Sequence, residues 1–459
     1  MIKLRAHPLT AVGFIAPFWA IFLLPVLRRF LSGSHTVAFV AEGLMLAFVI
    51  LQGFFRARAL EIIVSAEKIC LRRGVIRKEE VFFAKNAVSC LSVRENPLLS
   101  LFSTVSVQIN TEAGRWRSDY KIILKKRDAE RLRKSLGMGM GVKSIRMGAE
   151  RITLMSAAMS SAAVGVLLAA PMIARLVRLL DIGISNLLLE TARKTVISSS
   201  LIYFAMLFIF FYCVSFVSLL IRSLIMKVGF SDDSICVSSG LLPRRYTFLK
   251  KDAVNIISLE QKPLLRLTKR VLIRVGVAGC GGKRQDDVVV PIARKNEIEP
   301  FLQNLFSLSM PSSGISPGKG TCYRFVRWPL FFLATVPTAA IISGVYVPKI
   351  AAAAVPMAVI SLLFFAYLSN LSLKSSKATL LSSGGGYLFA AGARGMSFRR
   401  VFCRGDRIGM FKIRRWPKDL KNGSCVLTVF VRSKRSERIK LKFIDFAATE
   451  EYCRAFWKR

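Results

Sequence analysis

The chain has 459 residues, a formal net charge of +42 and 53% hydrophobic residues. Those figures coexist only when apolar and charged residues are segregated into blocks, which excludes an ordinary soluble domain and points to a membrane protein. Nine cysteines without a CxxC pair and two histidines, His7 and His35, exclude a disulfide framework and a His-rich metal site.

Runs free of charge, apart from Glu42 in the second, mark the expected spans in chain order: residues 6–27, 30–55, 152–174, 195–221, 328–348 and 350–373. Each approaches or exceeds the roughly 20 apolar residues that cross a bilayer. They fall into three hairpins. Lys and Arg near the span ends are more numerous outside the short hairpin loops than within them, about nineteen against seven, which predicts cytoplasmic N- and C-termini in a bacterial inner membrane. The loop 175–194 carries an apolar stripe and is expected to lie on the outer surface as a short helix.

A polar segment follows each hairpin: 56–150, 222–310 and 374–459. The resulting division is hairpin 1 (1–55), domain 1 (56–150), hairpin 2 (151–221), domain 2 (222–310), a linker (311–327), hairpin 3 (328–373) and domain 3 (374–459). The first two polar segments repeat. Ile69, Cys70, Gly74, Phe82, Lys85, Ala87, Val88, Ser92, Pro97, Leu98 and Leu99 match Ile235, Cys236, Gly240, Phe248, Lys251, Ala253, Val254, Ser258, Pro263, Leu264 and Leu265 without a gap. In the third, Phe389, Phe402, Ile408 and Pro417 fall on Ile69, Phe82, Val88 and Pro97, while Lys418 and Asp419 replace the Leu-Leu pair. A unit of hairpin plus polar domain occurring three times accounts for the length.

Inside each polar segment, short β-rich runs such as TVSVQIN, RVLIRVGV and CVLTVFVRS alternate with Gly, Asn, Asp and Pro. That is the pattern of a small antiparallel barrel or sandwich. Each ends in a helical stretch: 127–136, 296–307 and 448–458. The motif S-x-x-x-I-C-x-x-x-G followed by F-x-x-K-x-A-V-x-x-x-S-x-x-x-x-P-L-L, placed after two spans, resembles the bacterial PH-like membrane proteins of the YdbS-like family, in a three-unit form. The resemblance implies an α+β membrane protein with six transmembrane helices in three hairpins, each followed by a cytoplasmic PH-like β-barrel closed by a C-terminal helix. It implies no catalytic residue and, by analogy, a role in protecting the cell envelope.

Catalytic patterns are missing. GVAGCGGKR (276–284) carries Val277 and Arg284 where a phosphate loop needs Gly and Ser or Thr, and reads as a hairpin turn. Neither a cofactor nor a metal is expected. Glu42 is the one ionisable residue well inside a span, and supports an alternative in which the hairpins line a transport path. The stronger signal is basic clusters: Arg72, Arg73, Arg77 and Lys78; Arg244 and Arg245; Arg399, Arg400, Arg414 and Arg415. Beneath a leaflet rich in anionic phospholipid, each such residue gains about 1 kcal/mol. The reading is therefore a non-enzymatic, multi-pass scaffold whose basic domains bind anionic headgroups, a protein partner or a second copy. Nucleic acid is disfavoured, since no RNA-binding motif accompanies the charge.

Overall fold

The computed structural model describes residues 2–11, 36–75, 78–112, 120–141, 143–160, 197–241, 244–277, 288–318, 321–346, 351–394, 397–416, 419, 422–431 and 437–456. Strand β1 (Ile2–Arg5) comes first. The helix Thr36–Arg58 leads into β2 (Glu61–Val64), β3 (Lys68–Arg73), β4 (Glu79–Ala84), a 3-10 turn Lys85–Ala87, β5 (Val88–Glu95), β6 (Thr104–Thr111), β7 (Tyr120–Lys125) and the helix Lys126–Ser135. The order then recurs. β8 (Lys143–Arg146) precedes the helices Ala149–Met159 and Ile197–Ser223, and β9 (Lys227–Phe230), β10 (Ser234–Ser239) and β11 (Arg244–Lys250) follow. After the 3-10 turn Lys251–Ala253 come β12 (Val254–Gln261), β13 (Arg270–Val277), β14 (Val288–Arg294) and the helix Ile298–Phe306.

A third passage begins with an isolated bridge between Ile315 and Leu381. The helices Cys322–Tyr346 and Ala351–Ala378 lead to β15 (Leu380–Gly384), β16 (Tyr387–Arg394), β17 (Ser397–Arg404), the 3-10 turn Gly405–Arg407, β18 (Ile408–Arg414), β19 (Ser424–Val431), β20 (Glu437–Asp445) and the helix Phe446–Phe456. The repeated glycines do the same job in the first two passages. Gly74 and Gly240 adopt φ of 101° and 90°, values that cost an L-residue with a Cβ but not glycine.

The chain forms two compact units. Met1–Ile145, Lys227–Ala253 and Val277–Asp286 make the first. It holds a four-stranded sheet, β1-β2-β3-β4, and a seven-stranded sheet, β7-β6-β5-β11-β10-β9-β8. Its core gathers Ile69, Leu91, Val107, Ile122, Leu124 and Leu132 from the first passage with Cys236 and Phe248 from the second. Arg146–Met226, Val254–Gly276 and Asp287–Arg459 make the other unit. It holds a six-stranded sheet, β14-β13-β12-β17-β16-β15, and a three-stranded sheet, β18-β19-β20. Its core joins Ile256 to Leu388, Val401, Cys403, Leu427, Val429 and Ile444.

These sheets correct the expected architecture in two respects. The polar segments do not close as separate barrels, because β11 pairs with β5 and β17 pairs with β12. Period-two alternation tells which side chains share a face and says nothing about which strand lies alongside. The second correction concerns the six spans in three hairpins. Among the described residues two helices are long and apolar enough to cross a membrane, Cys322–Tyr346 and Ala358–Ala378. Counting uncharged residues measures hydropathy, not helical continuity. The helix entering the 152–174 run stops at Met159, and Ser160 is extended at φ −64°, ψ 152°. Most of the 6–27 run, the remainder of 152–174 and the 175–194 loop lie outside the described residues, as does the GVAGCGGKR turn from residue 278 onward.

Candidate functional site: a basic groove at the foot of an apolar helix pair

The helices Cys322–Tyr346 and Ala351–Ala378 pack as a pair within the second unit, with Phe332 stacked on Phe365 at 5.6 Å between ring centroids. Leu330, Phe331, Ile341, Ile342, Val359, Ile360 and Leu363 are exposed along them. A helix apolar on its outward face is matched to lipid rather than to water. At the pair's foot lies a cavity of about 990 Å³, open on one side.

Its walls follow from two sequence periods. Arg324 and Arg327 are three residues apart on the first helix and so share a face. Lys440 and Lys442 are two apart on β20 and project to one side. Trp328 and Trp416, both exposed, stand at the rim, Ser372 and Ser375 add hydroxyls from the second helix, and Thr379 adds one just beyond its end. Tryptophan beside Lys and Arg at the end of an apolar helix is the composition of a membrane–water interface.

Arg324 is held in place. Its guanidinium donates to the carboxylate of Asp419, which is wholly buried, and to Ser424 Oγ at 2.8 Å, and it lies 4.7 Å from the ring centroid of Phe443. The other Asp419 oxygen accepts from the Trp416 backbone N–H at 2.9 Å. Asp419 therefore explains why the third passage breaks the Leu-Leu pattern: at that position the carboxylate ties the strand domain to the helix pair. Arg327, Lys440 and Lys442 have no carboxylate partner among the described residues. Partial desolvation at the groove wall, with the Lys440 charge beside it, lowers the Lys442 pKa from the ordinary lysine value. Three cations beside a carboxylate already committed to Arg324 leave an excess of positive charge that forms a site for an anion.

The clusters expected from sequence lie elsewhere. Arg72 reaches Glu80 at 2.7 Å, and Arg73 makes a forked pair with Glu79 at 2.9 Å. Lys78 is exposed and Arg77 lies outside the described residues. Arg244 faces Glu95 across β11 and β5, and Arg245 Nε donates to Ser92 Oγ at 3.2 Å. Arg399 meets Glu260 at 3.4 Å, and burial lowers the Arg400 pKa. Arg414 is exposed, while Arg415 stacks 3.7 Å above the Phe446 ring. Most of these cations are engaged by neighbouring strands, and none lines the groove. Glu42 lies on the helix Thr36–Arg58, with its side chain outside the described residues. The groove's own residues carried one sequence signal: RFVRW immediately ahead of an apolar run.

Against known families, the sequence model described as bacterial PH domain matches residues 11–139 and again 162–308. A comparison with curated proteins finds no match.

Proposed function

The chain belongs to the bacterial PH domain family, whose domains are generally non-catalytic binding modules, and from that premise we propose that it is a membrane-anchored scaffold that holds an anionic headgroup in the groove at the foot of its apolar helix pair. The observation that carries the reading is Arg327, Lys440 and Lys442, without carboxylate partners, sharing one cavity with Trp328 and Trp416. The passage beyond residue 308 acts as a third binding module, because its elements follow the order of the two that the family model matches. The excess of Lys and Arg on the strand-rich segments puts them on the cytoplasmic side of a bacterial inner membrane.

Headgroup binding would orient the strand domain rather than recruit it, since the helices already hold it at the surface. A short-chain phosphatidylglycerol titrated into the detergent-solubilised full chain tests this, with tryptophan fluorescence as readout. We expect a saturable change that the triple substitution Arg327→Gln, Lys440→Gln, Lys442→Gln weakens by tenfold or more, at about 1 kcal/mol per cation. Phosphatidylcholine should give no such change. Inorganic phosphate as effective as the lipid would mark a free-phosphate site, and unchanged lipid affinity in the triple variant would remove the groove from the function.

A further inference from the structure

The chain joins its consecutive passages in one way at both internal boundaries. β11 pairs antiparallel with β5, with Phe248 opposite Leu91 and Arg244 opposite Glu95. β17 pairs antiparallel with β12, with Phe402 opposite Ile257 and Arg399 opposite Glu260. In the sequence repeat, Phe82, Phe248 and Phe402 occupy one position, and Leu91, Ile257 and Phe411 another. The two junctions therefore share a register: at each, the repeated phenylalanine stands opposite the repeated aliphatic residue of the preceding passage.

Two edges of the same kind carry no such neighbour. Among the described residues β4 is bonded to β3 alone and β18 to β19 alone. β4 holds the repeat position of β11 and β17, and β18 holds that of β5 and β12. The equivalence of β18 and β5 extends to a bulge: the register slips between Ile408 and Met410 in one and between Val88 and Cys90 in the other.

We propose that β18 of one copy pairs with β4 of a second copy of this chain, in the register of the internal junctions. Met410 then stands opposite Phe83, Phe411 opposite Phe82, Lys412 opposite Val81 and Arg414 opposite Glu79. Burial supports this. Phe248 and Phe402 are 1% and 2% exposed, while Phe82 is 63% exposed and Met410 is 47% exposed. Pairing would cover both: Phe82 comes against Phe411, which already packs on the third-passage core, and Met410 comes beside Phe83, which packs on the first.

Charge names the occupant. Both internal junctions put the base on the later strand and the acid on the earlier one. The free edges invert this, with Glu79 and Glu80 on β4 and Lys412 and Arg414 on β18. In this register Glu79 would face Glu260 on β12 but Arg414 on β18, so β18 matches it where β12 does not, and Arg94 of β5 already stands opposite Arg245. An unprotected edge with an exposed aromatic is a template for another strand. Because the two edges differ, a pair of copies still offers one β4 and one β18, and growth continues until a ring closes.

The test uses full-length chains with two different tags, co-expressed in one membrane. One carries Glu79→Cys and the other Arg414→Cys; each alone is the control for the native cysteines. Oxidation should link the two tags only in the mixture. Replacing Glu79→Cys with Glu80→Cys should return the yield to background, because one residue of slip puts the side chains on opposite faces. Independently, Arg414→Glu should lower the assembled fraction about twofold to fivefold, the range for a cross-strand charge pair, and Glu79→Arg in the same chain should restore it. Equal linking with Glu80→Cys, no linking with Glu79→Cys, linking to a different protein, or an assembly indifferent to Arg414→Glu would each overturn the proposal.

Discussion

Replacing Asp419 by leucine installs the residue type that Leu99 and Leu265 supply at the same repeat position, so by pattern it should be harmless. The structure says otherwise. Asp419 is 0% exposed and Arg324 has a side chain only 13% exposed. Removing one member of a buried ion pair leaves an uncompensated charge, at a cost of about 3–5 kcal/mol. Two features move this variant to the low end. Arg324 keeps Ser424 Oγ and the Phe443 ring, and the groove admits water to it. We therefore expect Asp419→Leu to lose about 3 kcal/mol. At about 2–4 °C per kcal/mol for a body of this size, the unfolding midpoint falls by roughly 6–12 °C. Arg324→Leu combined with Asp419→Leu should stand close to the parent, because a buried pair replaced by apolar residues is often neutral or better. The assay is thermal unfolding of the full chain in detergent, followed by tryptophan fluorescence, with the two single variants and the double closing a cycle. A single variant within about 1 kcal/mol of the parent, or a double as damaged as the single, would refute the account of Asp419 as the tie.

Phe248→Ala should cost about 3–5 kcal/mol in chemical denaturation, whereas Phe82→Ala in dilute protein should stay within about 0.5 kcal/mol, although the two share a repeat position. Cys425 is wholly buried and burial pushes its thiol up to about 11; at pH 8 about one molecule in a thousand carries the thiolate, so maleimide should modify it only after denaturation. Lys442 has a lowered pKa, so as pH rises it loses its proton before an exposed lysine would, and phosphatidylglycerol affinity should fall across that window; Lys442→Arg should hold affinity to higher pH, and identical profiles would exclude Lys442 from the site. Gly141 has φ of +82°, and a Cβ there would lie 2.5 Å from the Phe230 nitrogen; Gly141→Ala should cost more than 1 kcal/mol in the same denaturation assay.

The legible parts of the fold were those that a side chain's local pattern decides. The sequence located β-rich runs and the helix closing each passage, since both depend on alternation, turn residues and near-neighbour spacing. Helices long and apolar enough to cross a membrane were legible where the charge-free run is also one helix, as in Cys322–Tyr346. They were misjudged where the backbone turns extended inside the run, as at Ser160. The groove escaped notice because its cations are scattered. Arg324 and Arg327 precede an apolar run while Lys440 and Lys442 sit over a hundred residues later, and no single window holds them. Dense clusters such as Arg72-Arg73 drew the eye instead, and the structure gives those to Glu80 and Glu79.

The partner of a strand is the least local property of all. Phe82, Phe248 and Phe402 read identically, each an apolar residue in an alternating strand with lysine or arginine three residues on or two back. Alternation assigns each to a face, and in an isolated barrel that face would be solvent. Two of the three are buried because the preceding passage supplies a wall, against Leu91 in one junction and Ile257 in the other. A hydrophobic residue repeated at a solvent-directed position is thus itself the sign of a shared sheet: it is kept where the neighbour is present in the chain and would be costly to keep where it is not. The first passage keeps it at Phe82, on a strand bonded to β3 alone among the described residues, and the edge beside it carries acid where its internal counterparts carry base. Loss of the internal junction alone would account for an exposed phenylalanine. It would not account for the inverted charge, which Arg414 of β18 matches.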